Sequence, residues 1–525
     1  ARRVLWCAPL RTLSASATLF TYVPALAVLV FAWTGGPFLS PDSFESVAAG
    51  RCMLGLAEPS CEDIEWYMWP PVFPLVAGGL SAVLDIRVAA LVTSLAATAL
   101  LAFPVARLAT ALGRPAAGPA AVILVFAIPG VHFHALGGDA RPAAILAISW
   151  AWALVLERRR AGWAGALAAL ALLCRPEATV AAALVLLWVL VRWRAGFRGA
   201  LAGFAALALP WWALLSWTFG RPTIVARSWE FGVLHWLDVV PRQWMFQLLG
   251  IGTGGSSLRD ALIDAQASPF DFPLAVVVAG LPTVAWAVLR AVPVLLWPLA
   301  AVGIVTAAAW RQEREALAAV AGLALPAVAA AALPQAQQAA LSESNLLPLL
   351  VAVGVCGGAG AAWVGSRLGH WSGALVVAVA VALLGLGQAV GRMLPSGDAR
   401  GVVTQTARWL EANTTGDARI AASFDSGAAI HLAARHHVRL PSPWRVEAWA
   451  SGPSRPHFLV LSNPDAPWVQ AALGDLAQAG PVDAVFTVRT ESDWMTVLRL
   501  GAPAGPGGEH GVGGALALPG EGVER

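Results

Sequence analysis

The chain has 525 residues, of which 58% are hydrophobic and only 12% charged, and its mean hydropathy is +0.68. Soluble globular proteins carry about 25% charged residues, so these values exclude a soluble domain. Apolar runs recur to about residue 391 and specify a polytopic membrane protein. The formal net charge of +3 points to no particular partner, and no nucleic acid is expected to bind. All 34 basic residues are arginine; with abundant Ala, Gly and Pro, this reads as the coding bias of a GC-rich bacterium and says nothing about chemistry.

The first apolar run, 17–34, lacks a small-residue cleavage site and reads as a span, not a removed leader. Further runs at 88–107, 115–132, 142–157, 162–174, 178–192, 199–218, 287–310, 316–333, 346–364 and 371–391 bring the expected total to about eleven. Arginines mark alternate ends: Arg2, Arg3 and Arg11, then Arg107 and Arg114, Arg158 to Arg160, Arg192 with Arg194 and Arg198, Arg311 with Arg314, and Arg367. The positive-inside rule makes these ends and the N-terminus cytoplasmic. The runs on either side of Arg175 are short, and a re-entrant pair buried among other helices is the alternative to two spans. Most tryptophans lie near span ends, as an interfacial belt requires.

This topology puts loop 35–87, turn 132–141, connection 220–286, segment 334–345 and the part beyond about Pro395 on the outer face. Cys52 and Cys61 share the first outer loop and are able to bridge if that face is oxidising, whereas Cys174 and Cys356 sit in apolar context as fillers. The predicted architecture is an all-α membrane domain over 1–394, a small α/β outer domain over 395–503 and a Gly-rich disordered tail over 504–525. Within the outer domain, TARWLEAN and DSGAAIHLAARHH have helical spacing, while ARIAAS, HFLVLSN, VDAVFTV and TVLRLGA read as strands.

Polar chemistry concentrates at the outer ends. FLSPDSFESVAAGR follows the first span and places Asp42 and Glu45 three apart, on one face of a helix that Pro41 is suited to begin. The bland reading makes Asp42 a first-turn acid that favours the helix dipole. Glu58, Glu62, Asp63 and Glu65 follow in the same loop, before WYMWPPVFPLVAGGL. HFHALGGDARP brings His132, His134, Asp139 and Arg141 to the membrane edge, and LCRPEA sets Arg175 and Glu177 between apolar runs. Ionised groups at membrane depth are costly and mark function. Arg175 and Glu177 form either a phosphate contact or a salt bridge that lets two helices turn. His132 and His134, with Asp42 and Asp139, form either a divalent-cation site (Mg, Mn or Zn) or a set of interfacial hydrogen bonds. In RSWEFGVLHWLDVVPRQWMFQLL, an amphipathic segment, Arg227, Glu230, His235 and Asp238 either roof a cleft or make up its wet face.

The order of these parts resembles the GT-C superfamily of integral-membrane glycosyltransferases, in particular bacterial members related to protein O-mannosyltransferases and aminoarabinose transferases. The resemblance rests on PDSFESVAAGR, MWPPVFPLVAGGL, GGDARPAAIL, LLCRPEATVAAALVLLW, ESNLLPLL and the tail beginning TARWLEANTTGDARIAASFDSGAAIHLAAR. It implies hexosyl or pentosyl transfer from a polyprenyl-phosphate sugar to a glycan, lipid or protein acceptor on the outer face of a bacterial plasma membrane. It further implies Asp42 as catalytic base with Glu45 the next acid, Asp139 as the counterpart of the family's second acid, and Arg175 near the donor phosphate. Glu177, Arg141 and His235 are added as substrate-side candidates. Two departures stand out: Ser43 follows Asp42 where many members have a second acid, and Ser344-Asn345 replaces Arg-Tyr before the late Leu-Pro. The alternatives are a lipid-linked sugar flippase, which internal repeats would betray and the sequence lacks, and a non-catalytic lipid-binding scaffold.

Overall fold

The computed structural model describes residues 41–56, 69–175, 178–219, 289, 292–310, 313–324, 346–368 and 372–393, and short segments between 402 and 501. The first span, Glu58, Glu62, Asp63, Glu65, Glu177, the connection 220–286 with His235, segment 334–345 and the Gly-rich tail lie outside the described residues. The chain divides into two compact units, one of 1–38, 49–56 and 65–393, the other of 39–48, 57–64 and 394–525.

In the first unit, the apolar runs that fall among the described residues form helices. Its helices are α1 (Pro41–Met53, whose first half groups with the second unit), α2 (Val72–Leu80), α3 (Ile86–Leu100), α4 (Ala102–Ala111), α5 (Ala117–Phe126), α6 (Pro129–Leu136), α7 (Arg141–Leu156), α8 (Ala161–Cys174), α9 (Ala178–Arg192), α10 (Arg194–Phe219), α11 (Leu296–Ala309), α12 (Leu347–Arg367) and α13 (Ser372–Met393). A further helix covers 313–324. Val88–Ala111, Arg194–Thr218 and Leu347–Arg367 are each long and apolar enough to cross a membrane, and α5 with α6 does so jointly across a 72° bend. The run 115–132 is therefore not one straight helix. Pro129 opens α6, and a residue ahead of proline is steered out of the helical region, so the chain turns at Ala127 and Ile128.

Helices in a lipid solvent gain little from hydrophobic association and rely on close van der Waals packing between small residues. The contacts follow that rule. A Cβ placed on Gly303 of α11 would fall 2.0 Å from the Cys356 carbonyl oxygen of α12, and one on Gly360 would fall 1.9 Å from the Leu299 carbonyl oxygen. A Cβ on Gly358 would fall 2.4 Å from the Ala121 Cβ of α5, and α12 packs on α11, α5 and α13 as the buried centre of the described helices. Gly50 of α1 lies against the Pro74 carbonyl of α2, and Gly78 against Gly50. The same end is clamped by Arg51, whose Nη1 donates to both the carbonyl and the hydroxyl oxygen of Ser81 at 3.2 Å.

Gly360→Val is therefore expected to force α11 and α12 apart and to cost about 1–3 kcal/mol or more. Gly79→Ala, whose new Cβ would find nothing nearer than 3.6 Å, should leave stability unchanged. Fluorescence-detected size-exclusion melting of the two variants reads the difference, and equal midpoints would contradict the packing argument.

The second unit contains a mixed five-stranded sheet in the order β2-β1-β3-β5-β4, with β1 Ile420–Ala422, β2 Val438–Arg439, β3 Phe458–Ser462, β4 Val482–Arg489 and β5 Trp494–Leu500. β1 runs parallel to β2 and β3, while β5 is antiparallel to β3 and β4. Val460 and Val497 are buried at its centre, and Trp409 stacks on Phe486 at 5.3 Å between ring centroids.

Candidate functional site

The polar cluster of the first unit is built at the turn between α6 and α7. Gly138, at φ 62, adopts a left-handed conformation that costs a glycine nothing, and it reverses the chain so that Asp139 faces back to α6 and forward to α7. Asp139 Oδ1 accepts the Arg141 backbone N–H at 3.0 Å. The carboxylate thereby serves the start of α7, where the helix dipole favours negative charge. Asp139 Oδ2 takes the Arg141 guanidinium Nη1, and His134 Nδ1 lies 3.4 Å from the same oxygen. Ser94 of α3 donates its hydroxyl to the His134 carbonyl at 3.0 Å, which ties α6 down.

Arg175 joins the cluster from a distant stretch of chain. It ends α8 in an extended conformation, φ −149 and ψ 130, and is buried. Its positive charge acts on Asp139. Burial alone would push the Asp139 carboxyl up, but Arg141, the His134 hydrogen bond and Arg175 together hold it well below the usual carboxylate range. A carboxylate so stabilised is a poor proton acceptor. It positions cations.

His132 is buried, and its Nε2–H donates to the Phe126 carbonyl. That carbonyl is one of those that α5 leaves without an intrahelical partner at its end, so His132 stitches the α5–α6 bend. With His132 committed to Phe126, and both Asp139 oxygens taken by donors, these residues as arranged do not fit a cation. No group of three His, Cys, Asp or Glu among the described residues is disposed to hold a metal.

The other expected residues are placed as follows. Asp42 and Glu45 lie in the first turns of α1, which begins at Pro41; their side chains lie outside the description, and this part of α1 groups with the second unit. Cys52, near the other end of α1, is in a disulfide, while Cys61 lies outside the described residues. Cys174 and Cys356 are free and buried. Glu177 and His235 lie outside the described residues. The structure thus brings together Asp139, Arg141, His134 and Arg175. Sequence reasoning missed Ser94, which no motif marks, and the Arg51–Ser81 clamp.

No family model matches the sequence, and no curated protein matches it. Solved structures do match in fold. The oligosaccharyltransferase AglB of Archaeoglobus fulgidus, in complex with an inhibitory peptide and a dolichol-phosphate, superposes at TM-score 0.55 and 12% identity over 89% of this chain and 72% of its own. An Archaeoglobus fulgidus oligosaccharyltransferase tethered by a disulfide bond to an acceptor peptide containing the NVT sequon gives 0.51 and 10%, over 91% and 73%. ArnT of Cupriavidus metallidurans bound to undecaprenyl phosphate matches over 91% of this chain and 97% of its own at 15% identity and TM-score 0.44. At 10–12% identity these matches establish a shared fold: the chain is built like the AglB oligosaccharyltransferase.

Proposed function

We propose that the protein is a membrane glycosyltransferase that moves a sugar from a polyprenyl-phosphate donor to an acceptor on the extracytoplasmic face, with inversion at the anomeric carbon. The architecture proposed with it is an eleven-span membrane domain over 1–394, with its N-terminus cytoplasmic, and an α/β domain over 395–503 on the outer side. The observation that carries the reading is a buried carboxylate, Asp139, paired with the partly buried Arg141 guanidinium and acted on by the charge of the buried Arg175, at the turn before α7, within a fold shared with an enzyme whose structure holds dolichol-phosphate.

In this reaction the Asp42 carboxylate takes the proton of the acceptor hydroxyl as its oxygen attacks the anomeric carbon. The bond to the donor phosphate breaks, and the phosphate departs with the electron pair. A phosphate is a weakly basic leaving group, so no carboxylic acid is needed to protonate it. Positive charge stabilises it instead, and Arg175 and Arg141 supply that charge while Asp139 and His134 hold Arg141 in place. Glu45, one turn along α1, is the second acid on the acceptor side, and Glu177 and His235 remain substrate-side candidates. One basic carboxylate with arginines suits transfer from a phosphate better than the paired acid and base of a glycosidase.

Incubating the purified chain with radiolabelled polyprenyl-phosphate sugars and a membrane extract as acceptor tests the assignment. Release of polyprenyl phosphate coupled to labelled product is expected; movement of label across vesicles without bond cleavage would indicate a flippase, and neither would indicate a scaffold. Arg175→Ala should raise the donor KM by about 10- to 100-fold, the worth of charge-assisted hydrogen bonds to one anion, with a smaller change in kcat. An unchanged KM would remove Arg175 from the donor site.

A further inference from the structure

We propose that the starts of α8 and α10 form a binding site for the headgroup of an anionic phospholipid, separate from the transfer site and independent of the reaction assigned to it. The first turn of α8 is pressed against the second and third turns of α10: a Cβ on Gly203 would lie 1.9 Å from the Gly162 carbonyl oxygen, and one on Gly162 would lie 3.5 Å from the Gly199 carbonyl oxygen. Arg160 and Arg198 are the residues immediately before Gly162's turn and before Gly199, and Arg194 opens α10. All three are exposed, and none has an ion-pair partner among the described residues.

The local acids are already engaged. Glu157 accepts Arg107 at 3.0 Å, and Glu315 accepts Arg158 at 3.4 Å. Neither α8 nor α10 carries an acid in its first turn, so the arginines meet no neutralising side chain there. The patch is therefore electropositive at the end of two apolar helices. Trp163, 64% exposed, stands beside it, and Val191 and Leu201 present apolar surface next to the arginines.

A soluble polyanion would match the charge but not the adjoining apolar faces. A phospholipid matches both, with its phosphate at the arginines, its tails along Val191 and Leu201, and Trp163 at headgroup level. Basic pockets between helices at the cytoplasmic ends of spans hold anionic headgroups in this manner.

Native mass spectrometry of the full chain, titrated with cardiolipin or with phosphatidylcholine, tests the site. Cardiolipin is expected to bind in preference to phosphatidylcholine. Arg160→Ala with Arg198→Ala should weaken its binding about 30-fold, from about 1 kcal/mol per arginine near a membrane surface. Arg367→Ala, on a different span end, should bind as the unaltered chain does. Arg160→Lys with Arg198→Lys should bind within about threefold of it, since the charge is kept, and it reports on the site should the alanine pair fail to fold. Equal binding of both lipids, equal loss in Arg367→Ala, or displacement of cardiolipin by millimolar inorganic phosphate alone would each overturn the assignment.

Discussion

Asp42→Asn is expected to lower the rate of sugar transfer by about 10²- to 10⁴-fold, the contribution of a positioned general base, while donor binding and the thermal midpoint should stay within error of the unaltered chain. The two readings of this residue separate cleanly because of where it lies. Asp42 is the second residue of α1, directly after Pro41. A first-turn acid there interacts with the helix dipole for about 0.3–1 kcal/mol. Asparagine serves a helix start nearly as well as aspartate, so a purely structural Asp42 predicts a small stability change and no kinetic one. The far end of α1 is fixed independently, by the Gly50 crossing over Pro74, the Arg51–Ser81 hydrogen bonds and the Cys52 disulfide, and none of these depends on the charge of residue 42. Glu45→Gln should cost at least tenfold less than Asp42→Asn if Asp42 is the base; the reverse order would move that role to Glu45. Retention of more than a tenth of the activity in both variants would remove the catalytic assignment from α1.

The helices were legible where apolar runs were bounded by arginine, glycine or proline. The run expected at 178–192 is helix α9 over Ala178–Arg192, and 142–157 is α7 over Arg141–Leu156. The bend after Phe126 was not read, because VILVFAI continues without a polar break and only Pro129 marks the interruption. β2 is two residues long, too short for any alternation to appear. Asp139 was legible as an acid opening α7 because GGDARP places it two residues before the first helical arginine. Its link to Arg175 was not, since the two are 36 positions apart and meet only through the packing of α7 against α8. Periodicity reports which face of an element is apolar, not which polar ends of different elements meet.

Asp139→Asn should destabilise the membrane unit by about 3 kcal/mol, read by chemical unfolding in detergent micelles. Breaking a buried ion pair from one side costs about 3–5 kcal/mol because the remaining charge stays uncompensated. The lower figure applies here since the Arg141 side chain keeps 18% of its surface exposed. Asparagine keeps an acceptor for the Arg141 backbone N–H, so the loss belongs to the guanidinium. Asp139→Asn with Arg141→Gln removes both charges and should recover more than half of the cost, a coupling of about 1–3 kcal/mol in the double-mutant cycle. The pH dependence has a definite sign. Because the folded carboxyl titrates below its ordinary value, its stabilising contribution is full above the unfolded value of about 3.9 and is lost only as pH falls through the lower folded one. An acid limb in the transfer rate near pH 5 therefore arises elsewhere than Asp139, and it should persist in whatever activity Asp139→Asn retains. A double variant no more stable than Asp139→Asn would mean that the pair does not hold the turn. Loss of the acid limb in Asp139→Asn would mean that this carboxyl, and not one on α1, titrates in catalysis.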